Sequence, residues 1–266
     1  MKIIQLFNIA VILSGLGIHS NAQDSLSARE IMEKSLEAVR LAGTESVATM
    51  TIIDSNGRER IRKIAQVTKL YDQGNTEKKL VRFLAPADVK GTGLLTYDYS
   101  NKDDDIWLYM PALRKTRRII SSEKAKSFMG SEFSYADMTP AALKNFTFNL
   151  LGEEKVNGVA AWKIEMIPIN DDVADENGYS KRISWIGKEN FVLRKSVYYD
   201  WYEELHKELN ILNIRELDSE HNKFHPLHLV MINKQNNRKS IFKINKIEYN
   251  PDIDDAYFTV RYLERE

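Results

Sequence analysis

The chain of 266 residues contains no cysteine. That absence excludes disulfide staples, and it excludes a lipid-modified N-terminal cysteine as a membrane anchor. A domain of this size is stable without such cross-links because it can bury a large core. Excess charge of one sign is missing too. Lys and Arg number 38, Asp and Glu number 38, and the formal net charge is +0, which leaves no electrostatic footprint for nucleic acid. Beyond residue 22 no run is long and apolar enough to span a bilayer. Internal repeats and low-complexity linkers are also lacking, so one domain is expected.

Signatures of catalysis are equally scarce. Ser121, Ser122, Ser127, Ser131 and Ser134 include no Gly-x-Ser-x-Gly elbow. Gly91-Thr92-Gly93 has no following Gly-Lys-Ser/Thr and does not open a helix, so it reads as a tight turn rather than a phosphate loop. Glu132 and Asp137 lack a partner histidine and read as capping and loop hydrogen-bond groups. His221, His225 and His228 have spacings that could ring a metal on a helix. Pro226 argues against a helix, and on a strand His225 and His228 would face opposite ways. A polar turn entering a strand is the preferred account. No enzymatic activity, cofactor or metal is expected.

What is present begins with a secretory signal. Lys2 supplies the positive start, residues 3–18 are mostly apolar, and Ser20-Asn21-Ala22 offers small residues before Gln23. Cleavage near Ala22 would leave 23–266 as a single exported domain, and export without disulfide or lipid anchor fits a bacterial periplasm. Ser27-Ala28-Arg29-Glu30 is a capping box, with Leu26 and Ile31 as a hydrophobic staple. Ile31, Met32, Ser35, Leu36 and Val39 then share one helical face, and Gly43 is expected to end the helix.

From residue 46 the period of the pattern changes to two. Strands are expected at 46–54 and 58–69 around Asn56-Gly57, then at 78–84, 93–99, 105–110 and 115–120. Residues 121–146 break the pattern, with Pro140 opening one or two short helices. Strands return at 147–156, 160–167, 180–187, 192–201, 205–217, 227–234 and 238–249, with 171–178 as an acidic loop. About a dozen short, evenly spaced strands and few helices describe a mainly β (α+β) fold, a strongly curved antiparallel sheet or open barrel.

Two constellations stand out. Arg114, Lys115, Arg117 and Arg118 form a basic run beside Trp107, Tyr109 and Met110. It reads as a solvated strand face, or as a contact for a partner or an anionic headgroup. Phe128, Met129, Phe133 and Tyr135 fall in the irregular segment, either as a core plug or as a lid over an apolar cavity.

Residues 83–86 with 91–95, 107–115, 117–119 and 128–135 resemble the bacterial outer membrane lipoprotein-sorting protein family, which is related to the LolA/LolB-type carriers. Residues 257–263 resemble that family's C-terminal end. The resemblance implies an incomplete β-barrel wrapped around helices, with an apolar cavity for acyl chains. It implies a periplasmic carrier that moves acyl chains of lipoproteins or other lipid toward the outer membrane without breaking a bond. Implied partners are an inner-membrane transporter of ABC or RND type and an outer-membrane acceptor. On alternation and position, Met50, Ile52, Leu95, Trp107, Met129 and Phe133 are the candidate cavity or lid residues. Tyr109, Arg114, Lys115, Arg117 and Arg118 are candidate headgroup or partner contacts. A non-lipid envelope adaptor presenting Trp107, Tyr109 and the basic run is the competing reading. A secreted hydrolase comes third, since no converging titratable groups are visible.

Overall fold

The computed structural model describes residues 26–265. The signal segment read in 1–22 and its cleavage site lie outside them. The first described element is helix α1 (Ala28–Ala38), started by the capping box: Ser27 Oγ accepts from the Glu30 amide at 3.2 Å, and the Ser27 amide donates to Glu30 Oε2 at 2.8 Å. The helix stops at Ala38, and Gly43 does not end it but opens the first strand. Glycine is needed there because a Cβ would lie 2.1 Å from the Asn250 carbonyl oxygen.

Alternating residues then build six strands in succession: β1 (Gly43–Ile53), β2 (Glu59–Tyr71), β3 (Thr76–Ala85), β4 (Gly93–Tyr99), β5 (Asp105–Met110) and β6 (Lys115–Arg118). After an irregular stretch come β7 (Phe146–Val156), β8 (Val159–Pro168), β9 (Lys181–Gly187), β10 (Leu193–Tyr199), β11 (Leu205–Asp218), β12 (Lys223–Asn233) and β13 (Arg238–Tyr249). All 13 join one antiparallel sheet in the order β6-β5-β4-β3-β2-β1-β13-β12-β11-β10-β9-β8-β7, open at β6 and β7. Each half is a meander. The halves are joined where β1 pairs with β13, from Thr44 opposite Tyr249 to Ile53 opposite Lys239.

This order leaves β6 at one edge and β7 at the other, so residues 119–145 must travel the full width of the sheet. Laid flat, 13 strands at ~4.8 Å per spacing would separate the edges by about 58 Å. The connection runs over one face through α2 (Ser121–Lys124) and single helical turns at Phe128–Gly130, Ala136–Met138 and Leu143–Asn145. Pro140 therefore starts no helix. Away from regular pairing, the backbone of the crossing needs other partners. Sheet side chains supply them. Arg62 donates to the Met129 carbonyl, Arg238 to that of Gly130 at 3.0 Å and Lys207 to that of Glu132 at 3.0 Å, while Ser240 Oγ accepts from the Glu132 amide at 2.9 Å. The Glu132 carboxylate itself is buried between Arg238 Nε at 2.9 Å and Asn233 Nδ2 at 2.9 Å. Met129 and Gly130 both adopt positive φ, which turns the chain back at this anchor.

Residues 171–178, expected as a loop, hold helix α3 (Asp171–Asn177). Asn170 Oδ1 accepts from the Val173 amide at 3.0 Å, and Gly178 closes the helix at φ 78. Only Val173 and Ala174 are buried, too few apolar positions to give a helical period in the sequence. On the opposite face of the sheet the C-terminal segment, ending in α4 (Val260–Leu263), covers β2 to β5 with Ile253, Phe258 and Leu263.

Glu132→Ala removes the buried carboxylate that pairs with half-buried Arg238 and accepts from buried Asn233. The expected loss of stability is roughly 2 kcal/mol, read as a lower urea midpoint together with faster amide exchange at 129–132. An unchanged midpoint would show that the network does not hold the crossing.

Candidate functional site

Inward-facing side chains of β1, β2, β3 and β9 to β13 converge on one cavity of about 380 Å³, roofed by α1 and the crossing segment. Convergence of eight strands on one space means that the sheet curves around it. The volume falls within the ~300–1,000 Å³ common to small-molecule pockets. Its walls follow from the period of two. Met50 on β1, Val81 on β3, Leu209 and Ile211 on β11, Leu229 and Met231 on β12, and Phe242 and Ile244 on β13 present apolar groups inward. From above, α1 adds Met32, Ser35 and Leu36, followed by Val39, and the crossing contributes Phe133 and 136–141. Near the cavity the crossing is held more lightly than at Glu132. Lys79 Nζ donates to the Met138 carbonyl at 3.1 Å, and Thr139 Oγ1 donates to Asp104 Oδ2 at 2.9 Å.

Two polar stations interrupt this lining. Arg182 on β9 stands directly across from Tyr198 on β10, with its guanidinium carbon 5.1 Å from that ring's centre and its Nε donating to Ser196 Oγ at 3.1 Å. Tyr179 packs edge-on against Tyr198 at 5.4 Å between centroids. Burial pushes the Tyr179 hydroxyl up to about 12 and raises that of Tyr198 as well, so both phenols stay neutral. Burial pulls the Arg182 guanidinium down, but Tyr198, Tyr179 and Asp137 outweigh it and hold the pKa above its ordinary value. Arg182 is charged.

The second station is His225 on β12, with Glu77 at the start of β3 and Asp98 near the end of β4 lying outside the cavity lining. Burial lowers the His225 pKa, and its Nδ1 lies 2.8 Å from the Pro226 carbonyl. Across β3 and β4, Glu77 is paired with Asp98, two like charges on one face. Burial first, then Asp104 and Glu77, push the Asp98 carboxyl up to about 7.

Of the residues chosen from the sequence, Met50 and Phe133 line this cavity. Ile52 faces the same way but is sealed in a neighbouring cluster with Ile64, Phe83 and Phe128, against which Met129 also packs. Leu95 and Trp107 are paired with each other and face the other side of the sheet, under Phe258 and Leu263. The opening residues of β4 are buried on both faces, so alternation there gave no direction. Tyr109 is buried beneath the same C-terminal cover. Arg114 sits in an exposed left-handed turn, Lys115 is exposed on β6, and Arg117 and Arg118 are paired with Glu123 and Asp105. Tyr109 is thus covered, whereas half-buried Trp107 stands across from exposed Arg118 on the paired strands β5 and β6. Sequence reasoning missed Arg182, Tyr179 and Tyr198. An arginine in register with Ser184 and Ile186, on the inward side of β9, was the signal available.

A family model described as "Uncharacterized protein" matches residues 75–265. Among solved structures, a DUF1329 family protein from Desulfovibrio piger is similar at a TM-score of 0.81 and 26% identity, covering 89% of this chain and 97% of its own. A structure described as an outer membrane lipoprotein-sorting protein domain, from Vibrio parahaemolyticus, gives 0.81 and 26% over 90% and 98%. A LolA superfamily protein from Nitrosomonas europaea shares the fold at 0.66 and 19% identity, over 90% and 100%. No curated protein matches the sequence.

Asp98 generates a prediction about pH. Its folded pKa lies above the unfolded value, so the protonated form stabilises the fold. That contribution is complete below pH ~4 and is lost as pH rises through about 7. Wild type should therefore lose stability between pH 4 and 8, whereas Asp98→Asn should lose less and exceed wild type at pH 8. Parallel urea midpoints across that range would contradict the assignment.

Proposed function

The chain belongs to the family whose model matches residues 75–265, and we propose, from its similarity to the DUF1329 and lipoprotein-sorting structures, that it carries acyl chains, of lipoproteins or of other lipid, through the periplasm toward the outer membrane. The apolar cavity between the curved sheet and its roof carries this reading. Each methylene moved from water into such a space is worth ~0.8 kcal/mol, so a long chain can be held with few polar contacts. No bond is made or broken. Release requires only that the cavity close or that an acceptor offer a better site.

The uneven anchoring of the roof supports a route in and out. Residues 129–132 are pinned by five sheet side chains, whereas two side-chain hydrogen bonds tie 136–141 to residues outside the crossing. The lightly held stretch is the gate in this proposal. The rest of the cycle follows the same reading: export with the signal removed near Ala22, a single domain over 23–266, loading from an inner-membrane transporter of ABC or RND type, and delivery to an outer-membrane acceptor.

Native mass spectrometry of the protein purified from periplasm without detergent tests the proposal. The expected spectrum carries masses of phospholipid or acylated peptide that exchange with added lipid. A bare mass that takes up no lipid would sink the carrier reading. Leu36→Lys and Leu229→Lys place a charge on the cavity lining at positions that are not fully buried. Both should reduce the lipid-bound fraction at least tenfold while leaving the urea midpoint close to wild type. Full lipid loading in both variants would mean that the cargo sits elsewhere.

A further inference from the structure

The carrier reading asks only for an apolar space, yet this cavity contains a permanent positive charge. Among the described residues no ion pair within 4.0 Å includes Arg182, and its Nε donates to Ser196 Oγ at 3.1 Å. The guanidinium lies over the Tyr198 ring and within hydrogen-bond reach of the Tyr179 phenol, both neutral. The carboxylate that acts on it, Asp137, lies beyond pairing distance, and its Oδ2 already accepts from the Ser134 amide at 2.7 Å and from Ser134 Oγ at 3.0 Å. Asp137 lines the same cavity, yet a guanidinium held inside a protein without a directly paired anion is costly unless one completes it.

The groups around Arg182 match that need. A planar guanidinium offers parallel N–H donors that fit a carboxylate or a phosphate two at a time. Ser196 and the Tyr198 ring fix its plane. Tyr179 and Tyr198 border the same space and, being neutral, can each donate an O–H to the same anion. Apolar Leu209, Met231 and Ile186 complete the surroundings and keep the local dielectric low, which strengthens a charge-assisted contact.

We propose that Arg182 seats the anionic group of the cargo, so that the cavity takes an alkyl amphiphile whose carboxylate or phosphate lies inside it, with Tyr179 and Tyr198 as additional donors. This rests on the carrier reading of the same cavity and narrows it. A headgroup left at the membrane surface would give Arg182 nothing to bind. A fatty acid or a phosphorylated single-chain lipid brings the missing charge.

The test compares three probes of one chain length on delipidated wild type: palmitate, neutral monopalmitoylglycerol, and the phosphate ester of that glyceride. Titration calorimetry should show at least one anionic probe binding about tenfold to hundredfold more tightly than the neutral one. Which of the two does so separates a carboxylate from a phosphate seat. In Arg182→Met and Arg182→Gln that preference should disappear while affinity for monopalmitoylglycerol stays within about threefold. Equal binding of all three probes to wild type would overturn the seat and leave the carrier reading intact, a result that needs no variant to fold. Anion preference that survives both substitutions would likewise overturn it and make Arg182 a purely structural partner of Tyr198. Failure of every probe to bind wild type would overturn the carrier reading and the seat together.

Discussion

A chain that ends the first half of its sheet at one edge and resumes at the opposite edge must lay the connection across a face. Most of this molecule follows from that constraint. Residues 119–145 span the width between β6 and β7, and a backbone out of register with any strand still has amides and carbonyls to satisfy. Polar side chains on an otherwise apolar face answer that need: Arg62, Lys207, Asn233, Arg238 and Ser240 all point at 129–132. Glu132 is buried because it is the hub of these contacts. The cavity is what remains where the crossing and α1 stand off the sheet rather than packing into it.

The two faces of the sheet do different work. On the outer face of β2 to β5 the C-terminal segment packs to closure; Leu263 is fully buried and sits so close to Gly93 that a Cβ there would approach it to 2.5 Å. On the inner face, packing stops short of filling the space. Native interiors are close-packed, and an unfilled region forfeits the dispersion contacts of its walls. Retention of such a region beside a tightly sealed one is the physical signature of a place kept for something else.

Legibility in the sequence tracked how local each determinant is. The capping box at Ser27 and the hairpin at Asn56-Gly57 depend on residues a few positions apart, and both were readable. The strand count, the curved antiparallel class and the family resemblance were readable from the period of two and from long motifs. Facing was not readable on β4, where Leu94 and Leu95 are both buried, so Leu95 and Trp107 were assigned to the wrong side. Helix α3 escaped because its seven residues carry only two buried apolar positions. Arg182 escaped for a different reason: its significance lies in its spatial surroundings, where no carboxylate of the described residues pairs with it directly, and no spacing along the chain records that.

The union of β1 with β13 also bears on how the protein comes to be folded. The sheet's central seam joins Thr44 to Tyr249, partners separated by nearly the whole described chain. Contacts of such long sequence separation form slowly, because the loop they close carries a large entropy cost before any pairing compensates it. A chain delivered N-terminus first can make the hairpin of β1 with β2 early, but β1 keeps an open edge until its last strand arrives. The seam therefore acts as a timer. It delays closure of the seam until the last strand of the sheet is available to pair.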